Sequence, residues 1–200
     1  MKKSKYLILS GLYFDFNDDL SEITNVKELF ENQNIIDLFR FNNIKSITEY
    51  KFNGYNINFV YLPKNIEKIE NEAFYKNQIQ ILDLSNCINL NIIMGWAFES
   101  NQIKQLKLPQ NINLINVEAF SFNKIKILDL SNCTQLKYID ENAFLNNPLN
   151  EIKILEEVEI EFNIDYKNDV WKKFIKYYHN HVEKAGDYKL ENNEWQWYPL

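Results

Sequence analysis

The stretch Ile81-Leu82-Asp83-Leu84-Ser85-Asn86-Cys87 decides the fold, because it recurs letter for letter at residues 127–133. The offset is 46 residues (127 − 81 = 46). The pattern Leu-Pro-x-Asn-Ile at residues 62–66 recurs at residues 108–112 with the same offset. Self-similarity at a fixed period is the signature of a repeat architecture. The sequence therefore predicts a solenoid.

Each 46-residue period contains two units. The first apolar residues of successive units are spaced by 22, 24, 22 and 24 residues, and they are Ile57, Ile79, Ile103, Ile125 and Leu149. Each complete unit also carries an Ala-Phe pair followed three residues later by an asparagine. The Phe and Asn residues are Phe74 and Asn77, Phe98 and Asn101, Phe120 and Asn123, and Phe144 and Asn147. These landmarks support one frame, with weaker matches upstream.

Within a unit, a short strand is expected to alternate between core and solvent. Ile79, Leu82 and Leu84 should point inward, and the third and fifth positions outward. The Ala-Phe pairs are expected in helical turns on the opposite wall, where the phenylalanines would stack in a column. The asparagine that follows tolerates a left-handed conformation and could end the turn without glycine.

Units of the form L-x-x-L-x-L-x-x-(N/C), alternating between "LDLSNC" and "LP-x-N-I" types, follow the leucine-rich repeat pattern. Over residues 33–160 the chain resembles the BspA-like leucine-rich repeat family. The resemblance implies an α/β-type solenoid, a right-handed superhelix with a curved parallel sheet. Many members of this family are bacterial surface proteins implicated in adhesion and host contact.

Solenoid ends must be closed, since each unit buries its apolar face only against its neighbours. We expect residues 1–32 to form an N-terminal cap or degenerate repeat, residues 33–165 the solenoid, and residues 166–200 a C-terminal cap of helix and strands. An apolar stripe at helical spacing comprises Val170, Trp171, Phe174, Ile175, Tyr178 and Val182. Lys172, Lys173 and Lys176 lie on the other side, and Gly186 is a plausible end. Strands are expected near residues 188–190 and 195–198.

The composition excludes several classes of function. The 200 residues include 22 Lys+Arg and 28 Asp+Glu, for a net charge of −6, so direct nucleic-acid binding is disfavoured. No apolar run reaches the ~20 residues of a membrane-spanning helix, and membrane insertion is not expected. The amino terminus only superficially resembles a signal peptide, and the stretch from Tyr6 to Phe16 is better explained by one or two strands. This favours a cytoplasmic protein over a secreted or cell-surface one.

Catalytic and metal-binding signals are missing from the sequence. It contains no phosphate-binding loop, dinucleotide fingerprint or hydrolase motif, and we predict no enzyme activity, cofactor or metal. His179 and His181 are expected to be exposed near a helix end. Cys87 and Cys133, two units apart, are expected to be small buried hydrophobes and not a disulfide.

The outward positions of the strands suggest a binding face. The predicted partner-binding residues are Ile35, Phe39, Phe59, Tyr61, Ile81, Asp83, Lys107 and Asp129. The apolar members are typical of an interface, although the N-terminal cap could cover them instead. Asp83, Lys107, Asp129 and Lys153 could form a cross-strand ion-pair ladder or contact a partner. 

The expected function is that of a monomeric, non-catalytic module that binds a protein partner on its curved sheet face. One alternative is a small acidic intracellular inhibitor that masks a basic surface of a nucleic-acid-handling enzyme. Another is a bacterial surface adhesin.

Overall fold

The structure is a computed structural model that describes residues 5–9, 12–16, 23–28, 35–161, 169–181 and 183–200. Three antiparallel strands come first: β1 (Lys5–Leu9), β2 (Leu12–Phe16) and β3 (Ile23–Glu28). The first two lie where the sequence favoured strands over a signal peptide. The predicted boundary at residue 32 lies outside the described residues.

Residues 35–161 form a β-solenoid of about five turns with two walls of parallel strands. The first wall holds β4 (Ile35–Asp37), β6 (Phe59–Tyr61), β8 (Ile81–Asp83), β10 (Gln105–Lys107), β12 (Ile127–Asp129) and β14 (Glu151–Ile154). The second holds β5 (Ser46–Ile47), β7 (Lys68–Ile69), β9 (Ile92–Ile93), β11 (Leu114–Ile115), β13 (Tyr138–Ile139) and β15 (Glu159–Ile160), which form one six-stranded sheet.

The first wall confirms the predicted alternation of buried and exposed residues. In β4, β6, β8, β10 and β12 the middle residue is buried and both neighbours are exposed. Leu82, for example, is fully buried between exposed Ile81 and Asp83. The side chains of the first and third residues are therefore available to solvent along this wall.

The predicted α/β character is wrong for the repeats, because residues 35–161 contain strands and turns but no helix. The segment after β7 shows the reason. Glu72 and Lys76 both have φ of 52°, so they interrupt the run of negative φ that a helix needs. The Ala-Phe pair between them lies in consecutive tight turns. The right-handed superhelix stays a prediction.

The predicted aromatic column is present and longer than expected. Phe52, Phe74, Phe98, Phe120 and Phe144 stack with ring centroids 5.1 to 5.5 Å apart. All five rings are completely buried. Trp171 adds a ring whose centroid lies 5.1 Å from that of Phe144, in an edge-to-face arrangement. The column connects every turn of the solenoid to the C-terminal helix.

The asparagine after each Ala-Phe pair is buried and bridges neighbouring turns. Asn101 accepts a hydrogen bond from the Ile79 amide at 3.1 Å and donates one to the Phe74 carbonyl at 2.8 Å. Equivalent bonds join the other members of this asparagine ladder, Asn77, Asn123 and Asn147. The predicted left-handed conformation belongs instead to the preceding residues, Lys76, Ser100, Phe122 and Asn146.

The C-terminal region packs on the last turns. Helix α1 (Val170–Asn180) is capped at its N-terminus by Asp169, whose carboxylate accepts a hydrogen bond from the Trp171 amide at 2.8 Å. The helix ends before Gly186, which instead begins β16 (Gly186–Glu191). Strand β16 pairs with β14 and with β17 (Glu194–Tyr198), both antiparallel. The two strands near residues 188–190 and 195–198 are therefore confirmed.

Most of the predicted helix stripe is buried, with one correction. Trp171, Phe174, Ile175 and Tyr178 face the core. Lys172, predicted on the solvent side, is also buried, and its ammonium lies 2.9 Å from the Glu141 carboxylate. A buried ammonium requires such a partner. The side chain of Val182 lies outside the described residues.

The strands of the first wall pair two by two. β4 pairs with β6, β8 with β10, and β12 with β14, whereas β10 and β12 are not hydrogen-bonded neighbours. Strands β6 and β10 lead into Leu-Pro steps at Pro63 and Pro109. Proline has no N–H to extend a ladder and is confined to strand edges. A seam in the first wall therefore follows each Leu-Pro unit.

Candidate functional site

The first wall, whose outward side chains are available to solvent, is called the open wall below. An apolar patch covers its first strands. It consists of Ile35, Phe39, Phe59, Tyr61 and Ile81, which are 36 to 55% exposed. Ile35 lies opposite Phe59 in the parallel register of β4 and β6, and Ile81 follows on β8. Four large apolar side chains on neighbouring strands, together with Phe39 in the turn after β4, make a surface of the kind that marks an interface.

A charged strip follows the apolar patch along the same wall. Lys107 on β10 lies 3.3 Å from the Asp83 carboxylate on β8. Partial burial would raise the pKa of Asp83, but hydrogen bonds from Ser85 and the nearby Lys107 hold that pKa below its ordinary value. Asp83 is therefore ionised and paired at neutral pH.

The predicted ion-pair ladder is present only at Asp83 and Lys107, because no ion pair among the described residues joins Lys107 to Asp129 or Asp129 to Lys153. Asp129 accepts hydrogen bonds from the amide and the hydroxyl of Ser131, and Lys153 pairs with Glu151 on its own strand at 3.5 Å. Such exposed pairs contribute a few tenths of a kcal/mol each. The structure thus places the eight predicted partner-binding residues on one wall; their binding role stays a prediction.

The two cysteines line the interior. Cys87 and Cys133 are buried free thiols. Burial, and to a smaller extent the nearby Asp83 and Asp129, raises the pKa of each thiol to about 12. A thiol at that pKa holds almost no thiolate at neutral pH, which agrees with a packing role.

The histidines differ from each other. His179 is only partly exposed: Nε2 lies 2.9 Å from the Ile160 carbonyl and Nδ1 lies 2.8 Å from the Glu183 carboxylate. The expectation that it is exposed is therefore wrong, whereas His181 is exposed. Within the described part of the chain, no cluster of His, Cys, Asp or Glu could hold a metal ion. No helix there is long and apolar enough to cross a membrane.

A feature that the sequence did not indicate lies beside the phenylalanine column. Glu72, Tyr75, Trp96 and Glu99 line a small cavity of about 250 Å³. Burial, with the neighbouring carboxylates of Glu118 and Glu72, raises the pKa of Glu99 to about 7. Lys76 and Ser100 act in the opposite direction but more weakly. Glu99 follows directly after Phe98 of the column. The repeat therefore places its carboxylate in a buried position that favours the neutral, protonated form over the charged one.

Glu99 should make the stability of the protein depend on pH. Its pKa is raised from 4.5 to about 7 in the folded state, so the unfolded chain loses this proton first as the pH rises. The free energy of unfolding should therefore fall between about pH 5 and pH 8, by on the order of 1–2 kcal/mol. We expect Glu99→Gln to remove this loss, as measured by urea denaturation at both pH values.

The matched control is Glu159→Gln, at an exposed position of the second wall. It should leave the difference between the two pH values unchanged. An equal pH dependence in the native chain and in Glu99→Gln would contradict the assignment.

Parallel strands in two walls, an asparagine ladder and one open wall define a solenoid of leucine-rich units. Residues 21–150 match the family described as BspA type Leucine rich repeat region, in six copies. These are 130 of the 200 residues (150 − 21 + 1 = 130), and the chain belongs to this family. Solenoids of this family are typically non-catalytic scaffolds for protein interaction. Neither the curated proteins nor the solved structures gave a match.

Proposed function

We propose that this protein is a non-catalytic binding module that holds a protein partner on its open wall. The observation that carries the proposal is the apolar patch. None of its five side chains belongs to the buried core formed by the described residues. Exposed apolar side chains on three neighbouring strands and the turn after β4 fit the centre of an interface.

The test is site-specific crosslinking in the native host. A photoreactive p-benzoylphenylalanine at position 61, in the patch, should crosslink a discrete partner. The same residue at position 50 is the matched control, because Tyr50 is equally exposed at 53% but lies in the turn that follows β5 of the second wall. Crosslinking that is equal at both positions, or none at position 61, would overturn the proposal.

The acidic-inhibitor alternative differs in its dependence on salt. Binding through the apolar patch should change little between low and high ionic strength. Masking of a basic surface by the net charge of −6 should instead weaken steeply as salt is added. Measurement of the affinity at two salt concentrations therefore separates the two functions.

We also propose that residues 166–200 close the C-terminal end of the solenoid. The support is the Phe144–Trp171 contact, the Trp171 indole N–H donating to the Glu141 carbonyl at 3.0 Å, and the pairing of β16 with β14. Such a cover is needed because the last turn would otherwise expose its apolar edge. The same role for residues 1–32 stays a prediction.

A further inference from the structure

The seam between β10 and β12 opens a groove in the charged part of the open wall. The two strands face each other without a hydrogen-bonded ladder, while each pairs with its other neighbour. The groove has a volume of about 580 Å³. Sites for small molecules are typically concavities of about 300–1,000 Å³ with mostly apolar linings. The groove thus has the dimensions of a ligand site.

The lining of this groove combines an apolar surface with a basic rim. Leu106, Ile127 and Pro148 supply the apolar surface. The rim holds four lysines, and these are Lys104, Lys107, Lys124 and Lys126. We call the whole feature the lysine groove. Asp129 is its one acidic lining residue, and its carboxylate is engaged by Ser131.

The charge of the lysine groove is opposite to that of the whole chain. The chain carries a net charge of −6, yet four lysines line this groove. Lys107 is paired with Asp83. No carboxylate among the described residues forms an ion pair within 4 Å with Lys104, Lys124 or Lys126, and the Lys104 ammonium donates a hydrogen bond to the Gln80 side-chain oxygen at 3.5 Å. Three positive charges are therefore available to a ligand.

We infer that the lysine groove binds a small organic anion with an apolar body. Its acidic group would lie among Lys104, Lys124 and Lys126, and its apolar part would cover Leu106 and Ile127. A nucleic acid fits less well, because the groove has no aromatic side chain on which a base could stack. The inference does not depend on the proposed partner, since the apolar patch lies on earlier strands.

The probe for the test is decanoate, a carboxylate with a flexible apolar chain. Calorimetric titration of the full chain should show saturable binding of one decanoate. Decyltrimethylammonium, with the same chain and the opposite charge, and acetate, with the same charge and no chain, should bind at least about tenfold more weakly. Equal binding of decanoate and decyltrimethylammonium, or no saturable binding of decanoate, would overturn the inference.

Two variants and their matched controls locate the site. Lys124→Gln combined with Lys126→Gln should weaken decanoate binding about fivefold to tenfold, because two surface charges are lost. The control replaces Lys64 and Lys137, two exposed lysines elsewhere, by glutamine and should leave the affinity unchanged. A loss as large in the control as in the groove variant would show non-specific attraction and overturn the inference.

Ile127→Ser tests the apolar surface of the groove. Its control is Ile81→Ser, since Ile81 holds the same repeat position and is 49% exposed against 52% for Ile127. Only Ile127→Ser should weaken decanoate binding, by about fivefold or more. Circular dichroism should show all variants folded, because every replaced side chain is exposed. Equal effects of the two isoleucine substitutions would contradict the groove as the site.

Discussion

Replacement of Phe98 by alanine should lower the free energy of unfolding by about 4 kcal/mol. Phe98 is completely buried at the centre of the phenylalanine column, with ring centroids 5.1 Å from Phe74 and 5.5 Å from Phe120. The substitution removes the buried ring and leaves a cavity that its two stacked neighbours cannot close. Urea denaturation followed by circular dichroism measures the change.

The control for this substitution is Phe122→Ala. Phe122 belongs to the next unit and is 50% exposed, so its loss should change the free energy of unfolding by less than about 1 kcal/mol. If Phe98→Ala does not fold, the less severe Phe98→Leu should still destabilise by more than Phe122→Ala. A column that tolerates alanine at position 98 with little loss would show that stacking does not hold the turns together.

Replacement of Phe59 and Tyr61 by alanine together should weaken binding of the crosslinked partner by about 1,000-fold. Truncation of one aromatic residue at the centre of an interface costs about 2 kcal/mol, and two such losses correspond to this factor. Both side chains flank buried Val60 on β6 and point to solvent. Surface plasmon resonance with the purified partner gives the affinity.

The stability of this double variant provides the first control. Both rings lie outside the core, so the urea midpoint should remain within the error of the native value. Tyr50→Ala is the second control, and it should leave the affinity unchanged. An affinity that survives the loss of Phe59 and Tyr61 would place the partner elsewhere on the surface.

Much of the solenoid could be predicted from the sequence because its main determinants are local and repeated. The identical strings at residues 81–87 and 127–133 fix the frame, and period-two alternation then assigns Leu82 to the core and Asp83 to solvent. The same frame places Phe74 and Phe98 at equivalent positions one turn apart. Their stacking follows directly from the repetition.

Other features depend on contacts between segments that do not occupy equivalent positions in the 46-residue repeat. Lys172 is on the polar side of its helix by spacing, but Glu141, thirty-one residues earlier (172 − 141 = 31), draws it into a buried ion pair. The sequence predicts that the ladder asparagines end turns, but it does not predict their hydrogen bonds, because an amide such as that of Asn101 bonds to the Phe74 carbonyl in the previous turn. Such bonds become visible only when neighbouring turns are in place.

The lysine groove was missed for a related reason. Lys104 and Lys107 belong to one unit and Lys124 and Lys126 to the next, so the sequence shows two separate pairs of charges. The two pairs of lysines form one rim only because the groove lies at the seam between β10 and β12. A signal for the seam was present in Leu108-Pro109, since proline is tolerated in sheets mainly at edges.

The seams also set the step by which a chain of this design can lengthen or shorten. Each strand pair joins a 24-residue unit to the 22-residue unit that follows. Removal of 46 residues (24 + 22 = 46) therefore removes one whole strand pair and leaves the remaining strands with their original kind of neighbour. Removal of a single turn would leave one strand of the open wall without its partner. Such an orphaned edge invites pairing with another chain. Gain or loss of units in pairs therefore avoids an unpaired strand edge, and with it a route to aggregation.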